Sequence, residues 1–570
     1  MSAVYTADFE TCDNRAQTAD GTPTFARVWL WAVCDIESHA IEYGTDIESF
    51  ISALYARPGV YWFHNLSYDG TYIVDYCLRN GWVFAAEPSQ DKQFCTVISD
   101  KGKWYSVELV CGKEHIHIYD SLKKYPFSVK VMGKTFGFPE EKGTIDYRMW
   151  RGLGYIPTQD EYGYIANDVL ICARAMEQAY SEGATKLTIG SDCMAAYKKD
   201  LGKRAFKRMF PKLNDIQDRD IRRAYRGGYC RVEPRFKGKD VGPGISVDFN
   251  SMYPSMMMLK PFPYGQPVYF TGRYEHDDDC PLYVQTLTAS FHVKPSGFPM
   301  VQIKGTGFFG EREYVEHAPE PVTLTLSSVD LELFMDCYDV DVKEWRGGYK
   351  FHARVGMFSD YMAYWRSIKQ ESKGIVRTRA KLYLNNLYGK FGTNPNATQK
   401  LPELEGEGPV RYVTGPEETR PPVYVPVAVF ATAWARDTLI RAAMANRDRF
   451  VYCDTDSLHL IGTEPPAGCP LDDNKFGYWK VEGTFTRARH LRTKCYMWDL
   501  NGSTSVTCAG MPENIKAACT WENFHIGLTN YDTVEEGGRR VLKIREGQGK
   551  LQPLLVEGGR TLVDRPFSLR

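Results

Sequence analysis

Asp454 and Asp456, one residue apart in Tyr452-Cys453-Asp454-Thr455-Asp456-Ser457, are the side chains of this sequence best spaced for chemistry. Apolar Phe450-Val451 leads in and Leu458-His459-Leu460-Ile461 leads out, so the stretch reads as a tight β-hairpin with the acids at its tip. Carboxylates at i and i+2 share a face and can point at one hard cation that prefers oxygen ligands. An acidic turn of no function has the same composition. A second segment, Val247-Asp248-Phe249-Asn250-Ser251-Met252-Tyr253-Pro254, adds a carboxylate at the end of an apolar strand, before a break punctuated by proline. Acids on two strands are the donor set of two-metal phosphoryl transfer.

Another group of acids lies towards the N-terminus. Residues 4–11 alternate as a strand, with Asp8 and Glu10 on one face and Phe9 on the other. A strand at Val60-Tyr61-Trp62-Phe63 runs into His64-Asn65-Leu66-Ser67-Tyr68-Asp69-Gly70, and residues 162–168 open a helix on which Tyr164 and Asp168 are one turn apart. Each pattern alone is an ordinary surface arrangement; together they bring four acids and a phenol into play.

The elements that must position these residues belong to a large protein. A chain of 570 residues implies about three or four domains. Its net charge of -1 excludes a purely electrostatic nucleic-acid coat, but the signs are segregated. Basic residues run from Lys198 to Lys239 and again at Arg487, Arg489, Arg492 and Lys494, and acidic runs sit elsewhere. Fifteen singly scattered cysteines form no Cys-x-x-Cys pair, which reads as reduced thiols, a cytosolic compartment and no structural zinc. No run of apolar residues is long enough to span a bilayer.

Between the acid groups, residues 183–191 read as a linker. In Tyr225-Arg226-Gly227-Gly228 the paired glycines allow backbone to approach a phosphate while Tyr and Arg offer a ring and a charge. Residues 260–357 carry strand signals, including 284–287 and 300–304, and no catalytic constellation. Residues 361–391 read as helix broken at Gly374, and place Lys381, Asn385 and Tyr388 on one face, a cation, an amide and a ring suited to a nucleotide. Pro, Gly and Glu interrupt residues 393–423, which read as a protruding hairpin or loop. Lys494-Cys495-Tyr496 reads as strand, with Cys495 turned inward.

In chain order, Asp8/Glu10, Asn65/Asp69 and Tyr164/Asp168 resemble the Asp-x-Glu, Asn-x-x-x-Asp and Tyr-x-x-x-Asp motifs of DnaQ-like 3′–5′ proofreading exonucleases. The resemblance implies that Asp8, Glu10, Asp69 and Asp168 ligate two metals, that Tyr164 orients the attacking water and that Lys142 holds the scissile phosphate. It further implies that Thr11, His64, Asn65, Tyr68, Ser121 and Leu122 grip a single-stranded 3′ end, with Tyr68 standing where related chains usually carry Phe.

The Asp248 segment, residues 381–389, residues 452–457 and Lys494-Cys495-Tyr496 resemble the palm and fingers motifs of family B DNA polymerases. With Tyr225-Arg226-Gly227-Gly228 between the halves and long intervals on both sides of the fingers, the whole chain is similar to the protein-primed subgroup from small bacteriophages with linear genomes. The implied fold is α/β and α+β multidomain: an RNase H-like exonuclease domain (1–188) and a right-hand polymerase with two insertions. Palm (189–259 and 425–528), terminal-protein-binding insertion (260–357), fingers (358–393), a hairpin insertion for strand displacement and processivity (394–424) and thumb (529–570) make up the rest.

By the same resemblance Asp248 and Asp456 hold two Mg2+ ions, for which Mn2+ substitutes, with Asp454 beside them and Phe249 offering its carbonyl. Tyr253 stacks under the sugar, Lys369 and Lys381 bind the triphosphate, Asn385 and Tyr388 line the base-pair pocket, and Lys494, Tyr496 and the Tyr225–Gly228 segment contact DNA. The implied partners are primer-template and single-stranded DNA, dNTPs and a terminal protein, bound by a monomer or a heterodimer in the cytoplasm of an infected bacterium. A nuclease with a vestigial second half, or a non-catalytic scaffold, has no use for all seven acids.

Overall fold

The computed structural model describes residues 3–18, 21–138, 145–146, 149–302, 314–536 and 539–570. Val4–Asp13 lies inside an eight-stranded sheet, antiparallel to Ala26–Asp35 and parallel to Val60–Phe63, which in turn pairs with Glu114–Asp120. Both faces are covered. Helix Leu66–Arg79 packs through Ile73 and Cys77 into the cluster containing Phe9 and Phe63, and helix Gln159–Ser181 packs through Ile165, Val169 and Met176 against Leu30, Ala32 and Trp62. The second helix starts three residues before the expected opening, because Thr158 and Glu161 form a reciprocal capping box there.

The expected linker is shorter than 183–191. Thr188 caps a helix at Ile189–Leu201 by accepting from the Ser191 amide, so Ser191 is helical. A second large sheet runs in the order Ser503–Cys508, Cys495–Leu500, Trp479–Arg492, Gly244–Phe249, Ser457–Ile461, Phe450–Asp454, Cys230–Val232. The proline expected to break the chain after Asp248 instead sits in the first turn of helix Met252–Leu259, where its missing N–H costs nothing. Helix Pro426–Ala445, with proline at its start, is buried along most of its length because it separates two cores: Val427, Val429, Phe430 and Ala433 enter one and Leu439, Ile440 and Ala443 the other.

Phe262–Phe270, Tyr338–Arg354, Leu282–Val293 and His317–Ser327 form a separate four-stranded sheet. The strand expected at 300–304 does not form at residues 300–302. The Met300 and Val301 amides donate to the Tyr338 hydroxyl, at 2.8 and 3.2 Å, instead of to a neighbouring strand. Helices Ser359–Glu371 and Gly374–Phe391 are broken where expected, with Gly374 at φ +60°.

Asn396–Glu403 and Arg411–Thr419 do form a hairpin, but it is docked. Its Val410 enters the core of the first sheet, Tyr412 packs edge-on to Trp104 at 5.4 Å, and Arg79 donates to the Gly408 carbonyl. At the C-terminus, the hairpin Lys550–Val556/Gly559–Arg565 folds back onto the same sheet: Val556 joins that core and the Tyr72 hydroxyl donates to the Arg560 carbonyl. No helix among the described residues is long and apolar enough to cross a membrane.

Candidate active sites

Asp248 stands opposite Ser457 in the pairing of Gly244–Phe249 with Ser457–Ile461, and the Phe249 amide donates to the Asp456 carbonyl at 2.7 Å. This ladder brings Asp248 to the tip of the hairpin that carries Asp454 and Asp456. The tip is strained: the Asp456 amide donates to the Asp454 carbonyl at 2.6 Å across Thr455, a β-branched residue at φ +59°. Such a γ-turn costs on the order of 1–3 kcal/mol and persists only where its surroundings impose it.

Those surroundings include the Tyr225–Gly228 segment. The Thr455 amide donates to the Tyr229 carbonyl at 2.7 Å, and a Cβ on Gly228 would lie 2.7 Å from Thr455 Oγ1 and 3.1 Å from the Tyr253 hydroxyl. Gly228 is thus a glycine because the acidic turn and Tyr253 fill its space, whereas Gly227 has open space beside it. Arg436, paired with Asp330 in a fully buried bridge at 2.7 Å, donates to the Arg226 and Gly227 carbonyls and fixes the segment from behind. The guanidinium of Arg226 itself bonds the Thr325 carbonyl at 3.0 Å, and burial lowers its pKa to about 10. The cation expected to meet a phosphate is spent on backbone here.

Asp248 is raised to about 7, first by burial and then by the charges of Asp456 and Glu482. Asp456 is raised to about 6, by burial and then by Asp454. Asp454 has other company: Lys494 Nζ lies 2.6 and 2.7 Å from its two oxygens, and the Tyr452 hydroxyl 3.2 Å away. Lys494 is not on a strand as expected. It occupies the turn after Trp479–Arg492 at φ +56°, which lets its side chain reach the hairpin tip. Tyr496 is half-buried beside Tyr452 and His490, and Cys495 is buried as expected. Among the described residues no group of three or more His, Cys, Asp or Glu is arranged to hold a metal ion.

Facing the acids are the two helices. Lys369 Nζ is 3.4 Å from Ser251 Oγ, and its pKa is lowered by burial and then by the charges of Lys381, Arg377 and Arg366. Crowded cations opposite Asp248 are suited to a polyanion. Lys381 and Asn385 are exposed on one helix face, and the Tyr388 ring stacks on Tyr253 with centroids 4.1 Å apart.

In the first sheet, Asp8 and Asp168 line one cavity of about 460 Å³ together with His64, Asn65 and Leu122. Glu10, Asp69 and Asp168 are buried, and so is Tyr164, one turn before Asp168. Asp69 is raised well above the usual carboxylate range by burial and by the charge of Asp8. Thr11 and Tyr68 share a hydroxyl–hydroxyl bond of 2.8 Å. His64 is fixed between Ser121 Oγ (2.9 Å) and the Phe127 carbonyl (2.8 Å), which makes its Nε2 the donor.

Asn65 adopts a left-handed conformation, with its amide bonded to Asp120. Asp120 also accepts from the Leu122 amide and from Lys123, and so ties the Asn65 and Ser121–Leu122 segments together. Neither it nor the Arg436–Asp330 pair carries a spacing that marks it in the sequence. Lys142 lies outside the described residues.

The chain belongs to the type B DNA polymerases of organelles and viruses, whose family model matches residues 155–473. More narrowly, it is a phage DNA-directed DNA polymerase of the phi29 type. It is 39% identical to the DNA polymerase of Bacillus phage phi29 over 595 residues, covering 100% of this chain and 99% of that one. It is 38% identical to that of Bacillus phage Nf, covering 95% and 97%. The fold matches phi29 DNA polymerase complexed with primer-template DNA and incoming nucleotide substrates at a TM-score of 0.91, with 38% identity over the whole of both chains. An exonuclease-type domain joined to palm, fingers and thumb is therefore the architecture.

Proposed function

We propose that this polymerase replicates a linear phage genome by protein-primed initiation in the cytoplasm of an infected bacterium, displaces the non-template strand, and proofreads at a separate 3′–5′ exonuclease site. The observation that carries the reading is the presence of two independent carboxylate groups, one per large sheet, of which the Asp248/Asp456 group faces a bank of cations.

Asp248 and Asp456 fit a divalent metal: two carboxylates raised by burial and by neighbouring negative charge lose that penalty when a hard dication binds between them. Magnesium, or manganese in its stead, would be held there by these two with the Phe249 carbonyl, and in the first sheet by Asp8, Glu10, Asp69 and Asp168. When bound, it would make the attacking oxygen nucleophilic and neutralise charge on the leaving group.

The protein's own groups do the positioning. Lys369 and Lys381 orient the triphosphate of an incoming dNTP, Tyr253 on Tyr388 presents a flat wall to its sugar, and Asn385 lines the base pocket. Lys494 keeps Asp454 aligned and with Tyr496 holds the primer end. Thr11, His64, Asn65, Tyr68, Ser121 and Leu122 line the path of a frayed 3′ strand, with Tyr164 beside Asp168. The domain boundaries are those implied by the resemblance, with residues 260–357 receiving the terminal protein. A hydroxyl of that partner replaces the primer 3′-OH in the first transfer, since any hydroxyl aligned with the α-phosphate can attack in line.

The direct test is primer extension with magnesium and dNTPs, alongside transfer of a labelled dNMP to the phage's terminal protein. Extension without transfer would retain the polymerase and remove protein priming. Absence of both would overturn the reading.

A further inference from the structure

Helix Lys203–Met209 carries charge that works against its own stability. Among its seven residues are Lys203, Arg204, Lys207 and Arg208, and no acid. Lys203/Lys207 and Arg204/Arg208 are like-charge pairs at i, i+4, each unfavourable. Two of the four stand in the first turn, where the helix dipole disfavours cations, and Gly202 at the N-cap supplies no side-chain bond. Lys198 and Lys199 precede and Lys212 follows, so residues 198–212 hold seven cations against one acid, Asp200. All seven are exposed, and among the described residues none of them enters an ion pair.

The opposite side of the segment is ordinary core: Phe206 and Phe210 pack against Phe391 at the end of the fingers helix Gly374–Phe391. The positive surface continues from there. Lys198 sits over the Phe206 ring at 4.7 Å, and Lys390 is held down by burial and then by the charges of Lys198 and Arg420, which follows the docked hairpin. On the fingers helix Lys390 is nine residues from Lys381, about 180° around the axis. The basic surface therefore lies behind the nucleotide-facing side of the fingers, at the root of the hairpin.

We propose that this surface holds the phosphodiester backbone of the displaced, non-template DNA strand as it leaves the fork. The inference rests on the strand-displacement reading above. A strand excluded from the path to the acids by the fingers and the hairpin emerges on their far side, and uncompensated cations there attract phosphates without regard to sequence.

The test is the variant K203Q/R204Q/K207Q/R208Q in the full chain. Binding is measured by fluorescence anisotropy across a salt series, on primer-templates with and without a downstream strand bearing a 5′ single-stranded flap; extension is followed on the same substrates. The flap should tighten binding of the wild type. That gain should be lost in the variant, with the salt slope on the flapped substrate reduced by about 3, roughly 0.7 for each of four contacts. Displacement synthesis should slow while extension on an open template is unchanged, and the melting temperature should hold or rise because like charges are removed.

An unchanged flap-dependent gain, or an equal loss of affinity on the flapless primer-template, would overturn the assignment; the second result would move the surface to the template strand. Failure of the strand-displacement reading is distinguishable, because the wild type would then extend the open template and stop at the downstream strand.

Discussion

Thr455 shows how this protein stores local strain where charge is handled. A β-branched residue at φ +59° between two aspartates is tolerated because Tyr229, Gly228 and the Asp248 strand surround it. Gly228→Ala should therefore damage synthesis out of proportion to its size, since the added methyl meets Thr455 and Tyr253 at once. We expect kcat for primer extension to fall at least about tenfold, equivalent to roughly 1.4 kcal/mol, with degradation of single strands unaffected. Wild-type extension by that variant would show that the turn can shift freely.

Tyr253 tests the neighbouring contact. On the proposed reading, in which the ring stacked on Tyr388 is the wall against the sugar, Tyr253→Val should raise the ratio of kcat/KM for rNTPs over dNTPs. An unchanged ratio would place sugar selection elsewhere.

Behind the same hairpin, His459 and His490 bond to each other at 3.0 Å and are almost fully buried. Burial pushes His459 down to about 3, and burial with the charge of His459 pushes His490 well below its ordinary value. An unfolded chain protonates these groups near 6.5. The folded form resists, so stability is fully present above about pH 6.5 and falls as pH drops towards the folded values, by about 1.4 kcal/mol per pH unit per group. His490→Gln should remove one proton from that slope. Urea unfolding at pH 6, 5 and 4 reads it, and a slope equal to wild type would contradict the neutral buried pair.

At the scale of elements, the hairpin Asn396–Glu403/Arg411–Thr419 runs from the end of the fingers helix to the first sheet, on which it docks. A ribbon anchored at both ends can close a DNA path without touching the acids. Replacing residues 399–420 with a short Gly/Ser linker should leave short gap filling intact while shortening products and abolishing extension through duplex. The deletion also uncovers Trp104 and vacates the place of Val410, so some loss of melting temperature should accompany it. Unimpaired displacement would make the hairpin a structural strut only.

At the scale of the whole molecule, the two carboxylate groups belong to different sheets with different cores, which predicts separable activities. Asp8→Ala with Asp69→Ala should abolish trimming of a mismatched 3′ end and leave extension largely intact. A double mutant that trims at the wild-type rate would remove the exonuclease assignment.

Much of this was legible in the residues alone. Period-two alternation and short motifs depend on neighbours a few positions apart, so the Asp8 and Asp248 strands, the Asp454/Asp456 hairpin, the broken helix pair and the hairpin after it could be read locally. Local patterns carry no information on what lies across a sheet. Lys494 could not be seen to sit in a turn and clasp Asp454 from forty residues away, nor Gly228 to be small for the sake of Thr455. The Arg436–Asp330 bridge that holds the Gly-Gly carbonyls, and the C-terminal hairpin closing on Tyr72, join residues separated by about a hundred positions or more. Those contacts were decided by the tertiary structure, because buried polar groups take whichever partner the packing of distant elements supplies.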